Sequence, residues 1–130
     1  ATPQQSTSAL LATQPHSLEA ERTVLGALLL DPDAIIKVSD FLSVDDFYDP
    51  TYKQIFAAIF DIYQKHEPVD FVTVSNRLAD NEKLQKIGGT VFLAELAQDV
   101  PTSSHIYQYG QIVKTKAVHR KIIAAGEAIK

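Results

Sequence analysis

SHIYQYGQIVKTKAVHRKIIAAGEAIK, residues 104–130, decides the fold. It reads as one long helix with no Gly-Asn-Pro exit after Ile129. Its apolar stripe changes face on the way. Ile106, Tyr109, Ile112, Val113 and Ala117 share one side. Val118, Ile122, Ala125 and Ile129 share another, rotated by roughly a third of a turn at about 100° per residue. The first face is expected to seat the helix on its own domain. The second needs another partner, so Val118, Ile122, Ile123, Ala125 and Ile129 are the candidate interface residues. The stretch is therefore expected to belong to a longer chain.

Upstream of it, capping signals divide the chain into short helices. Ser17 reads as an N-cap, with Glu19 and Glu21 in the first turn, where the helix dipole favours them. Leu18, Leu25, Leu28 and Leu29 form the expected buried stripe, and Gly26 costs about 1 kcal/mol against Ala unless a neighbour needs close approach. Asp31-Pro32 predicts a second, short helix carrying Ile35, Ile36 and Val38. Ser43 with Asp46 resembles a capping box opening a single turn. Asp49-Pro50 opens the strongest helix, with Tyr52, Ile55, Phe56, Ile59, Ile62 and Tyr63 on one face and Pro68 beyond its end. Asp70 caps a helix through Phe71, Val74 and Leu78; the β-branched Val72-Thr73-Val74 makes strand the rival reading, and Asn76-Arg77-Leu78-Ala79 decides for helix. Leu84 and Ile87 belong to a turn ended by Gly88-Gly89, and Phe92, Leu93, Leu96 and Ala97 to a helix closing before Pro101. No convincing alternating strand and no internal repeat is present. The expected fold is all-α, a small globular bundle of about six helices with a projecting last one: a disordered leader over 1–16, a head over 17–103 and the long helix over 104–130.

Composition narrows the function. The chain is 45% hydrophobic, enough to bury a core. Without Cys it has no disulfide, thiolate metal site or Cys nucleophile. No apolar run reaches the roughly 18 residues of a membrane span, and residues 1–16 lack the pattern of a signal peptide. Residues 1–113 hold 7 Lys/Arg against 15 Asp/Glu, whereas residues 114–130 hold 5 against Glu127 alone. An acidic head argues against a stand-alone DNA binder, because phosphate contacts supply most non-specific affinity. Lys114, Lys116, Arg120 and Lys121 are the candidate contacts for nucleic acid or an acidic partner. They scatter around the helix axis, so solvated surface is the competing reading.

Catalytic chemistry is not encoded in any recognisable pattern. Gly88-Gly89-Thr90 lacks the spacing and the Lys of a phosphate-binding loop and reads as a helix exit followed by a helix entry. Two of Asp45, Asp46 and Asp49 already have capping roles. His16, His66, His105 and His119 show no i, i+4 ligand pairing. No catalytic, metal or cofactor residue is assigned, and binding to DNA is expected to be weak and salt-sensitive.

An ordered set of short words carries a family resemblance. Ser17-Leu18-Glu19-Ala20-Glu21, Val24-Leu25-Gly26, Asp46-Phe47-Tyr48, Ile55-Phe56, Pro68 through Val74, Gly88-Gly89, Phe92 through Leu96, Pro101-Thr102, Tyr109, Ile112-Val113 and Arg120 resemble the N-terminal domain of the bacterial replicative DNA helicase, the DnaB family. The family often has His in place of Tyr52 and Asn in place of His105. The resemblance implies a helical head followed by a helical hairpin, of which residues 104–130 are the first arm. It implies a hexameric collar built by hairpin pairing, with primase as a partner, a helicase loader as a further candidate and a bacterial cytoplasmic location. ATP, Mg and the main DNA contacts would belong to a motor domain elsewhere. Two other readings compete. One is the helicase-binding C-terminal domain of a primase, and the other a stand-alone DNA-binding helical module.

Overall fold

The computed structural model describes residues 14–100 and 102–128, with Ala128 described by its backbone only. The expected leader residues Leu10 and Leu11, the helix stop at Pro101 and the candidate interface residue Ile129 lie outside the described residues. Five α-helices and two 3-10 turns account for the regular structure of that region, and no strand occurs in it.

Helix α1 spans Leu18–Leu30, and the Ser17 side chain accepts a hydrogen bond from the Ala20 N–H at 3.1 Å. A 3-10 turn over Ala34–Lys37 stands where Asp31-Pro32 predicted a helix. Asp31 is instead the C-cap of α1, and its carboxylate accepts from the Asp33 N–H at 3.0 Å. This aspartate turn starts the chain on a tight, four-residue winding. A second 3-10 turn covers Val44–Asp46, where Asp46 Oδ2 accepts from the Ser43 N–H at 2.9 Å, as the capping-box reading requires.

Helix α2 covers Pro50–Gln64, and Asp49 Oδ1 accepts from both the Thr51 and Tyr52 N–H groups. Helix α3 covers Phe71–Asp80, with Asp70 and Thr73 capping each other reciprocally. The rival strand reading fails there, because Val74 and Leu78 recur at helical spacing and both are buried. Helices α4, Gly89–Gln98, and α5, Ile106–Ala128, follow. The expected count of about six becomes five because the Asp31-Pro32 element is 3-10, while the Ser43 element is the single turn expected.

Helix α1 is the central strut. It packs against α4 and α5, the last two helices, and against α2, while α2 also packs on α3. The core is built from Val24, Leu25 and Leu28 of α1, Ile55, Phe56, Ile59 and Ile62 of α2, Leu78, and Leu93 and Leu96 of α4. Leu18, expected in the α1 stripe, is exposed, because the first turn buries Ala20 and Glu21 instead. Gly26 sits where α1 meets α4: a Cβ there would lie 2.3 Å from the Leu96 carbonyl oxygen.

The seated face of α5 differs from the expected one at a single position. Ile106, Val113 and Ala117 are buried, Tyr109 is partly so, and Ile112 is 40% exposed. Adjacent helical residues point about 100° apart, and on this helix the head covers Val113 and leaves Ile112 at the edge. Gly110 fills the missing place, close enough to Val38 and Phe41 that an added Cβ would meet Val38 at 2.9 Å. Truncating Val113 to Ala is expected to cost about 2 kcal/mol through the cavity it leaves. Ile112→Ala should change stability by less than about 0.5 kcal/mol, as exposed substitutions do. Urea unfolding of the two variants measures both, and equal losses would overturn this assignment of the faces.

Candidate functional site

Beyond Ala117 the long helix leaves the head. Val118, Ile122, Ile123 and Ala125 are all exposed, Ile122 to 63%. Val118, Ile122 and Ala125 lie within about 60° of one another around the axis, and Ile123 is turned about 100° from Ile122. Val118, Ile122 and Ala125 make an apolar strip, and Ile123 is exposed on another side of the helix.

The four basic candidates divide. Lys121 is exposed and Lys116 half-buried. Lys114 and Arg120, assigned from sequence as contacts for nucleic acid or an acidic partner, instead have partners inside the molecule. Lys114 Nζ lies 3.2 Å from Asp46 Oδ2 and 3.4 Å from Oδ1, and Asp46 is fully buried. Arg120 donates at 2.7 Å to the carbonyl of Asp46 and, through its other terminal nitrogen, at 2.7 Å to that of Pro15. Its guanidinium also sits over the Tyr48 ring, 5.5 Å from the centroid, and the His16 ring stacks on Tyr48 at 4.0 Å. Residues 14–16, read as part of the leader, thus touch the head.

Below this group lies Glu21, 1% exposed. Its carboxylate accepts from the Tyr48 N–H at 2.9 Å and the Asp49 N–H at 3.2 Å, which fixes the entry to α2. Burial raises its pKa above the usual carboxylate value, opposed by these two hydrogen bonds and by the Arg120 charge. A raised folded pKa means the folded state favours the protonated acid. The stability linked to Glu21 is therefore full below its ordinary pKa of 4.5 and is lost as pH rises through the higher folded value. Glu21→Gln removes this titration. Wild type is expected to gain stability relative to the variant as pH falls through that window, read by denaturant unfolding at several pH values. A difference that is flat or of opposite slope would contradict it.

Sequence reasoning missed this polar cluster. Its members come from four separate segments, residues 15–16, Glu21, residues 46–49 and the long helix, and the local signals of Glu21, Asp46 and Asp49 said nothing of one another.

The glycine pair does not fit a nucleotide. Gly88, at φ 110°, N-caps α4, Gly89, at φ 73°, is its first residue, and no lysine follows at phosphate-loop spacing. Among the described residues no three His, Cys, Asp or Glu side chains group so that they could hold a metal ion. No described helix is long and apolar enough to cross a membrane.

With this architecture in hand, comparison with known proteins is direct. The DnaB-like helicase N terminal domain family matches residues 13–115. The chain is 44% identical over 115 residues to the replicative DNA helicase DnaB of Geobacillus stearothermophilus, covering 88% of this chain and 25% of that protein. It is 38% identical over 115 residues to the replicative DNA helicase DnaC of Bacillus subtilis, again covering 88% of this chain and 25% of the relative. It thus spans about a quarter of the length of these curated relatives. Its fold is similar to the crystal structure of the N-terminal domain of DnaB helicase from Mycobacterium tuberculosis, with a TM-score of 0.85 and 39% identity over 90% of this chain and 81% of that one. A DnaB-like replicative helicase whose structure addresses its interactions with primase gives a TM-score of 0.79 at 30% identity, over 87% of this chain and 27% of that one. The family match over most of the chain and the agreement in fold lead to one conclusion: this chain belongs to the DnaB-like helicase N-terminal domain family.

Proposed function

We propose that this chain is the non-catalytic collar module of a hexameric replicative helicase, joining subunits and docking primase, while unwinding driven by ATP and Mg resides in a motor domain outside these residues. The observation that carries the reading is the exposed strip Val118, Ile122 and Ala125, with Ile123 exposed on another side, on a helix firmly rooted in the head. Fully burying an Ile or Val contributes roughly 1.5–3 kcal/mol, so a strip of this kind favours a partner that covers it. A second helix, the other arm of a hairpin extending past Ile129 and Lys130, has the right shape for it. Primase as a partner is supported by the structural neighbour solved for its interactions with primase. A helicase loader would find its surface on the same module. Lys116 and Lys121 remain open to an acidic partner or to weak contact with DNA, since both lack an ion-pair partner among the described residues.

Ile122→Glu tests the assembly role. In the isolated domain the glutamate is solvated, so the stability change should stay within about 0.5 kcal/mol. In the full-length protein it would place an unpaired charge in an apolar interface, and hexamers should be lost at concentrations where wild type is assembled. Analytical ultracentrifugation reads the outcome, and intact variant hexamers would remove this strip from the assembly.

A further inference from the structure

We infer that Lys114 and Arg120 form a two-cation latch that fixes the angle at which the long helix leaves the head, with Asp46 as the shared catch. Three observations lead there. First, the seated face of α5 ends at Ala117, and every residue from Lys121 to Glu127 is exposed. The overhang from Ala117 to Ala128 is roughly 16 Å long at 1.5 Å per residue, so a tilt of about 10° at its root moves its tip by about 3 Å. The direction of the apolar strip is therefore set at the root.

Second, the two cations flank the buried stripe. Around the helix axis Lys114 lies about 70° to one side of the line through Ile106, Gly110, Val113 and Ala117, and Arg120 about 50° to the other. Both reach the same residue, Lys114 its carboxylate and Arg120 its carbonyl. Apolar side chains tolerate rolling because their contacts are non-directional. Two hydrogen-bonding cations on opposite flanks resist a roll either way.

Third, the catch is immobilised. Asp46 is fully buried, its Oδ2 holds the Ser43 N–H, and the next residues are held by Glu21 through the Tyr48 and Asp49 N–H groups. Arg120 is tied to Pro15 as well. Desolvation offsets most of the attraction in a buried ion pair, so the pair contributes more through geometry than through net stability. Lys114 and Arg120 are thus positioning residues for the strip farther along the helix.

The chain has no cysteine, so two can be introduced cleanly. Asn76→Cys lies on an exposed turn of α3, and Gly126→Cys lies on the overhang, where an added Cβ meets nothing within 4 Å. Nitroxide labels at both positions give the head-to-tip distance by pulsed electron spin resonance. The parent should show one narrow distance distribution. Asp46→Asn keeps an oxygen for the Ser43 N–H and removes the charge that holds Lys114; Arg120→Gln removes the two-carbonyl bridge. Each should widen the distribution or shift it by about 3 Å, and Arg120→Lys should fall between. If Asp46→Asn does not fold, Lys114→Met carries the same test from the half-buried side. Variants that melt earlier but keep the parental distance distribution would show that these residues only stabilise the fold, and would overturn the latch.

Discussion

Replacing Gly26 with alanine is expected to destabilise the domain by about 3 kcal/mol, the opposite of what a glycine-to-alanine change does in an ordinary helix. Propensity alone favours alanine by about 1 kcal/mol. The added methyl, however, would sit 2.3 Å from the Leu96 carbonyl oxygen and 2.4 Å from Val100 Cγ2. The first of these is backbone and cannot rotate away. Helices α1 and α4 must separate, opening the contact that carries much of the core. Equilibrium urea unfolding should show a lower midpoint with an unchanged slope. A gain in stability would mean that the helices slide apart at no cost.

Truncating Phe56 to alanine should have the largest effect of any single core change, a loss of about 3–5 kcal/mol. Phe56 is fully buried on α2, stacks on Phe47 with 4.7 Å between ring centroids, and lies 5.9 Å from the Phe60 ring. Phe47 follows the Asp46 turn, so the cavity would also loosen the segment that carries the latch. Against the roughly 5–15 kcal/mol that holds such a domain together, the variant should be partly unfolded at physiological temperature. Thermal melting followed by circular dichroism decides it. A melting curve close to wild type would show that neighbouring rings collapse into the space.

Much of this fold was legible because its signals are local. Ser17, Asp49 and Asp70 each marked a helix start through a cap bond to nearby N–H groups. The stripe of α2 followed from spacing alone. The Asp31-Pro32 signal misled because the same residues serve a helix start and an aspartate turn, and only the tertiary path selects between them. Ile112 misled because it neighbours Val113, and a small residue such as Gly110 does not register as part of an apolar stripe. The exposed strip was visible as a second face without a partner. The latch was not, since Lys114, Arg120, Asp46 and Glu21 meet only after folding, and a lysine bound for a buried carboxylate reads like any surface lysine. Asp31 shows the same limit. Its pKa is lowered first by the Asp33 N–H and then by the Ser103 hydroxyl, 2.9 Å away and far along the chain.

The central position of α1 has a consequence for how the protein is made. Helix α1 packs mainly on α4 and α5, which follow it at the far end of the described residues, with Gly26 against Leu96 and Val100. Until α4 and the root of α5 have been synthesised, the apolar side of α1 has only α2 and α3 to cover it. Such sequence-distant pairings raise the contact order above that of a simple up-and-down bundle, so closure is slower than helix formation. A nascent chain therefore carries exposed leucines until α4 and the root of α5 have emerged, the period in which chaperone capture and aggregation compete with folding.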